Sequence, residues 1–190
     1  MVDLDNIRKF TVPCPEGWNL FGNADAFETL PETHKDQILF LDKAAANYIF
    51  EFSEAAHLTT GGFWDPFEKG NFKYVEEYGD FSGSGESRQR LNKWLYHRGI
   101  AFRTWVFVLS NNDHPVLTTW KMVIKYSDTI FGIDDVMIFD QTLNWCLIFF
   151  HEDRMFFGKD NVYNPAEDEK RMEELNERKR KYPLFRHPYL

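Results

Sequence analysis

The residues of this 190-residue chain best suited to chemistry lie together at His151, Glu152 and Asp153. An imidazole beside two carboxylates could bind a metal ion or transfer a proton. Neighbouring residues of a strand point to opposite faces, however, and the spacing is not the HExxH pattern of a helical zinc site. We therefore interpret the cluster as a polar turn between strands, and predict no catalytic residue, no metal site and no cofactor.

Two other segments could attract ions. Asp134, Asp135 and Asp140 carry the carboxylates that divalent cations prefer, but an apolar strand of about 17–20 Å separates the first two from the third. The Ser- and Gly-rich stretch 82–87 could bind phosphate through free N–H groups at a helix start, yet Glu86 would repel the anion. Turns and a helix cap are the simpler interpretation of both segments.

Composition favours a protein partner. Thirty acidic residues against 22 basic ones give a net charge of −8, which opposes binding to nucleic acid and favours basic proteins. The two cysteines, Cys14 and Cys146, are far apart and predict reduced thiols. The start of the chain does not resemble a secretory signal, and no apolar run is long enough to cross a membrane. These features predict a cytoplasmic protein that does not bind membranes.

Hydrophobic periodicity predicts the elements that would position these residues. Apolar side chains at spacings of three and four predict helices from Pro31 to Phe52 and from Ser87 to Arg98, and a charged helix covers 165–181. Runs rich in β-branched and aromatic residues predict five strands joined as an antiparallel meander. The predicted fold is a single α+β domain, residues 1–190, with an antiparallel sheet of about five strands packed against two to three helices. The five runs are 102–109, 116–126, 135–139, 143–150 and 154–157.

The region 59–87 is predicted to be irregular, aromatic and acidic. Glycines and a proline interrupt its periodicity, and long loops inside compact domains are often functional. From Glu51 to Ser87, eight acidic residues stand against two lysines. The aromatic side chains could either anchor a partner or fix a long loop to the core.

Several segments in the latter half of the chain resemble the small immunity proteins of bacterial polymorphic toxin systems, of the contact-dependent inhibition or type VI secretion type. The resemblance implies a cytoplasmic protein that neutralises a cognate toxin by occluding its active site. The partner would be a basic toxin domain, often a nuclease with a basic substrate cleft, and the acidic region would meet that cleft. The segments are Lys93-Trp94-Leu95-Tyr96, Arg98-Gly99-Ile100, Thr119-Trp120-Lys121-Met122, and Leu143-Asn144-Trp145-Cys146 through Phe157-Gly158.

On this hypothesis, residues of the region 59–87 form the partner-binding site. Aromatic anchors would contribute most of the binding energy, and acidic residues would steer the encounter. Two other functions stay open: a small metal-dependent hydrolase that uses His151 and nearby carboxylates, and a structural or adaptor subunit. The oligomeric state is open as well. The predicted anchors are Trp64, Phe67, Tyr74 and Tyr78, and the predicted steering charges are Asp65, Glu68, Glu76, Glu77 and Asp80.

Overall fold

The structure, a computed structural model, describes residues 1–16, 18, 27–59, 66–67, 70–81, 85–110, 114–132, 134–162 and 164–185. Within these residues the chain forms eight strands, six α-helices and a 3-10 helix at Ile7–Lys9. The strands are β1 (Thr11–Val12), β2 (Ile38–Leu41), β3 (Phe72–Tyr78), β4 (Trp105–Leu109), β5 (Val116–Thr119), β6 (Val136–Phe139), β7 (Trp145–Phe150) and β8 (Arg154–Asn161). The helices are α1 (Glu32–Lys35), α2 (Lys43–Ala55), α3 (Gly85–Tyr96), α4 (Trp120–Lys125), α5 (Ser127–Ile130) and α6 (Pro165–Lys181).

The eight strands form one antiparallel sheet in the order β1-β2-β5-β4-β6-β7-β8-β3. One edge is the two-residue strand β1, and the other is the seven-residue strand β3. The strands β6, β7 and β8 are consecutive neighbours, whereas β4 lies between β5 and β6. The chain therefore crosses β4 between β5 and β6, and the helices α4 and α5 form this crossing.

Apolar side chains are buried on both faces of the sheet. On the first face, called the α3 face, Leu95 of α3 and Trp120 of α4 pack with Val108 and Leu147. On the second, called the α2 face, α2 packs against β4 and β6, and a second cluster containing Phe156 continues the layer. Two-sided burial explains why the central strands are apolar runs without polar alternation. Each buried Leu, Val or Phe side chain contributes about 1.5–3 kcal/mol to folding.

The helix α6 lies where the sequence predicts a charged helix. Asn164 caps its start by accepting a hydrogen bond from the Ala166 N–H at 3.2 Å, and four basic residues occupy its last turn. Most of its described side chains are exposed. Among the described residues, no helix is both long and apolar enough to span a membrane.

The α+β class and the single antiparallel sheet are confirmed, but the number of elements is not. The described residues contain eight strands instead of about five, and six α-helices instead of two to three. Part of the difference is the predicted helix from Pro31 to Phe52, which divides into α1, β2 and α2. The apolar run Ile38–Leu41 fits one helical stripe as well as a buried strand, and periodicity alone does not separate the two.

The predicted meander and the predicted irregular region also differ from the structure. The run 116–126 ends as a strand at Thr119 and continues as the helix α4, which provides the crossover that the meander excluded. Within the region 59–87, residues 72–78 form the edge strand β3. Tertiary pairing decides both cases, because β3 gains its hydrogen bonds from β8, a strand distant in the sequence.

Candidate partner-binding surface

Strand β3 is fixed at both ends and exposed in the middle. At its start, the buried Phe72 ring covers Gly158, where a Cβ atom would lie 2.6 Å from the ring carbon Cδ2. At its end, the ring of Tyr78 packs 5.2 Å from Trp94 between ring centroids. Between these anchors, Tyr74 is 53% exposed and Val75 is 52% exposed. The middle of the strand therefore presents an aromatic and an aliphatic side chain to solvent.

The backbone of β3 has an open side. The Asn71 carbonyl accepts a hydrogen bond from the Val162 N–H at 2.8 Å, so odd-numbered residues face β8. The even-numbered residues, including Tyr74 and Glu76, direct their N–H and C=O groups to the other side of the strand. Within the residues that the structure describes, no strand pairs with that side.

Glu76 is held on the α3 face by a buried arginine. Its carboxylate lies 2.5 Å from Arg98 Nη1, and the Arg98 side chain is only 7% exposed. The guanidinium lies 4.0 Å from the centroid of the Trp94 ring, and Nε donates a hydrogen bond to the Trp94 carbonyl at 3.0 Å. Stacking and hydrogen bonding together fix the arginine, which in turn fixes Glu76.

Glu77 and Asp80 are also paired with arginines. Arg154 donates to Glu77 through Nε at 2.9 Å and through Nη2, and its guanidinium lies 4.9 Å from the centroid of the Phe156 ring. Arg90 pairs with Asp80. Each of these negative charges has a positive partner on the same chain. Their contribution to steering a distant partner is therefore smaller than the local excess of acidic residues suggests.

The predicted aromatic anchors differ in their exposure to solvent. Tyr74 is exposed as an anchor requires, whereas Phe67 is buried with its ring centroid 4.9 Å from that of Phe72. Tyr78 is half-buried, and burial together with the charge of Asp80 raises its pKa above the ordinary value. Phe67 and Tyr78 thus pack against the sheet instead of facing a partner, because their rings anchor the two ends of this segment. Trp64, Asp65 and Glu68 lie outside the described residues.

Residues absent from the prediction complete a surface beside Tyr74. An open cleft of about 430 Å³ lies beside Tyr74, and we call the six residues that line it the edge surface. Tyr74 and Lys159 are cross-strand partners, and Lys73 Nζ lies 5.2 Å from the centroid of the Tyr74 ring. The run of β-forming residues between Gly70 and Gly79 was the available sequence signal for this strand. The edge surface comprises Lys73, Tyr74, Val75, Glu76, Phe157 and Lys159.

His151 is paired with a carboxylate that sequence analysis assigned to a different group. Asp135 Oδ1 accepts a hydrogen bond from the His151 backbone N–H at 3.0 Å and lies 2.8 Å from the ring Nδ1. The hydrogen bond and charge of Asp135 raise the pKa of His151. The His151 side chain is 57% exposed and the Asp135 side chain is 42% exposed. Within the described residues, no group of three His, Cys, Asp or Glu side chains is arranged to hold a metal ion.

Asp140 has a structural role in the turn before β7. Its carboxylate accepts hydrogen bonds from the Trp145 indole N–H and from the Thr142 backbone N–H, both at 2.9 Å. The Asp140 side chain is buried by these contacts, which orient the Trp145 ring toward the α3 face. This arrangement agrees with the turn role that the sequence favoured for Asp140 over a cation site.

The chain was also compared with protein-family models, with curated proteins and with solved structures, and none of the three comparisons found a match.

Proposed function

We propose that this protein acts by binding another protein through the edge surface of β3. The observation that carries the proposal is the exposed middle of that strand, where Tyr74 and Val75 project beside backbone groups with which no described strand pairs. Extended segments of partners add to such edges through main-chain hydrogen bonds, and side chains beside the edge give specificity. Tyrosine is among the residues that contribute most to protein interfaces.

The proposed partner is the toxin domain that the resemblance to immunity proteins implies. A net charge of −8 favours a basic partner, because opposite charges raise the rate of encounter. The protein would neutralise the toxin by covering its active site. The hydrolase has less support, because among the described residues His151 is paired with one carboxylate, that of Asp135, and no third metal-binding side chain joins them.

The test requires a candidate toxin domain, such as the C-terminal domain of a large secreted protein encoded next to this chain, which is produced with and without the protein in a sensitive host. Changing Tyr74 and Val75 together to alanine should weaken binding about 30-fold, a loss of about 2 kcal/mol that is typical of an interface anchor. The matched control is Tyr182→Ala, because Tyr182 is similarly exposed and lies beyond α6. If the double variant protected the host and bound the toxin as well as the wild type does, the proposed surface would be wrong.

A further inference from the structure

The two edges of the sheet differ in how they are protected. β1 is two residues long, and short edge strands are poor templates for pairing with another chain. β3 has seven residues and contains no proline, and two of its three charged residues, Glu76 and Glu77, are neutralised by arginines of the same chain. Among the described residues, no strand pairs with the backbone groups of its even-numbered positions. Native proteins seldom leave an edge of this length unprotected. We therefore expect another strand to pair with the open side of β3.

We infer that a second copy of this chain fills the open edge of β3, by antiparallel pairing of the two β3 strands about a two-fold axis at Val75. The pairing joins two eight-stranded sheets into one continuous sheet. It uses the same edge as the proposed function but does not depend on the toxin, so a toxin bound at β3 and a second copy exclude one another.

Backbone geometry limits the possible registers. Only even-numbered residues direct hydrogen-bonding groups outward, so each must pair with an even-numbered residue of the second copy. Axes at Tyr74, Val75 and Glu76 meet this condition. The axis at Val75 pairs all seven residues of β3, whereas the other two pair five. It is therefore the register that satisfies the most backbone groups.

Charge favours the same register. With the axis at Val75, Lys73 stands opposite Glu77 of the second copy, and the symmetry produces this contact twice. The axis at Glu76 would instead set that carboxylate directly against its own copy, and like charges directly opposite are destabilising. Glu77 is held on the α2 face by Arg154, and the long, exposed side chain of Lys73, whose ammonium lies 5.2 Å from the centroid of the Tyr74 ring, can reach across the new contact to Glu77 of the second copy. Each lysine would thus extend an existing ion pair into a row of three charges.

The first test is the state of association of the purified protein alone. Sedimentation velocity over a series of protein concentrations measures the fraction of dimer. The buffer should contain about 0.15 M salt, because its Debye length of about 8 Å screens the long-range repulsion between two acidic chains but leaves ion pairs in direct contact intact. A reversible monomer–dimer equilibrium is expected. Lys73→Glu should weaken the dimer about tenfold, because both symmetry-related contacts become repulsive.

The matched control is Lys43→Glu, since Lys43 is also exposed but begins α2, the helix that follows β2 near the opposite edge of the sheet. It makes the same change in net charge and should leave the dimer unchanged. A wild type that stays monomeric throughout the series, or equal weakening by the two substitutions, would overturn the inference.

A disulfide test fixes the register. Across the proposed axis the two Val75 Cα atoms would lie about 4.5 Å apart in a non-hydrogen-bonded pair, a distance that a disulfide spans. Val75→Cys should therefore form a crosslinked dimer under mild oxidation, in a Cys14→Ser background that removes the half-exposed native thiol. In Lys73→Cys the two sulfurs would belong to residues about 13 Å apart along the strands and should crosslink far more slowly. Equal crosslinking of the two variants would exclude this register.

Discussion

The two faces of strand β3 hold consecutive glutamates by similar contacts in different surroundings. On the α3 face, Glu76 pairs with Arg98, whose side chain is 7% exposed. On the α2 face, Glu77 pairs with Arg154, whose side chain is 20% exposed. Both guanidinium groups also lie over aromatic rings. Each glutamate is thus paired with an arginine that lies over an aromatic ring, and the comparison shows how the burial of Arg98 and its additional hydrogen bond to the Trp94 carbonyl increase what is lost when the arginine is removed.

The position of Arg98 explains its burial. It follows the last turn of α3, where Nε donates to the Trp94 carbonyl, which also accepts a hydrogen bond from the His97 N–H at 3.1 Å. Gly99, with φ +75, then turns the chain away in the left-handed conformation that commonly ends helices. The same guanidinium therefore completes the helix end, covers the Trp94 ring and holds strand β3 through Glu76.

The largest effect is expected from Arg98→Ala. The substitution removes the stack on Trp94, takes away one of the two donors to the Trp94 carbonyl and releases Glu76, so the free energy of unfolding should fall by about 2–3 kcal/mol. Urea unfolding monitored by tryptophan fluorescence measures the change.

Two further substitutions sharpen this result. Arg98→Met keeps a long side chain over Trp94 without the charge, and should cost less than Arg98→Ala because packing is retained. Arg90→Ala removes an arginine from a surface pair with Asp80 and should produce no change outside experimental error, since the Arg90 side chain is 50% exposed. A loss in Arg90→Ala as large as that in Arg98→Ala would refute the role assigned to burial.

A smaller effect is expected from Arg154→Ala. The variant loses a two-point hydrogen bond to Glu77 and the contact with the Phe156 ring, and the free energy of unfolding should fall by about 1–2 kcal/mol. The change is measured by the same urea unfolding. The loss in the free energy of unfolding should lie between the losses for Arg98→Ala and Arg90→Ala. If Arg154→Ala caused the largest loss of the three, the exposure of the arginine would not determine the order of these effects.

The sequence predicts the central strands well and the edge strand poorly, for one physical reason. Strands such as β4 and β7 are buried on both faces, so their residues form apolar runs that are visible without knowledge of their neighbours. β3 contains Glu76 and Glu77, and glutamate is depleted in strands. Both carboxylates are tolerated there because arginines distant in the sequence neutralise them. The sequence around the two glutamates does not predict which arginines these are.

The sequence also does not predict which individual aromatic side chains are exposed. Phe67, Tyr74 and Tyr78 lie in one aromatic segment and were predicted alike, yet only Tyr74 projects into solvent. The other two rings are covered by Phe72 and Trp94, and these contacts exist only once β3 has paired with β8. Composition located the segment, but only the tertiary structure could assign each ring to the core or to the surface.

The smallest effect is expected at the most exposed of the four pairs compared, His151 with Asp135. The carboxylate raises the pKa of His151 above its ordinary value of 6.5, so the folded chain holds this proton more tightly than the unfolded chain. The resulting stabilisation is fully present below the unfolded pKa and is lost as the pH rises through the folded pKa. Nuclear magnetic resonance titration of the imidazole should show the raised pKa in the wild type, and Asp135→Asn should return it toward 6.5. Because the His151 side chain is 57% exposed, the stability of the two proteins should differ little at any pH. A large stability difference at low pH would show that an exposed pair can match the buried pair of Arg98.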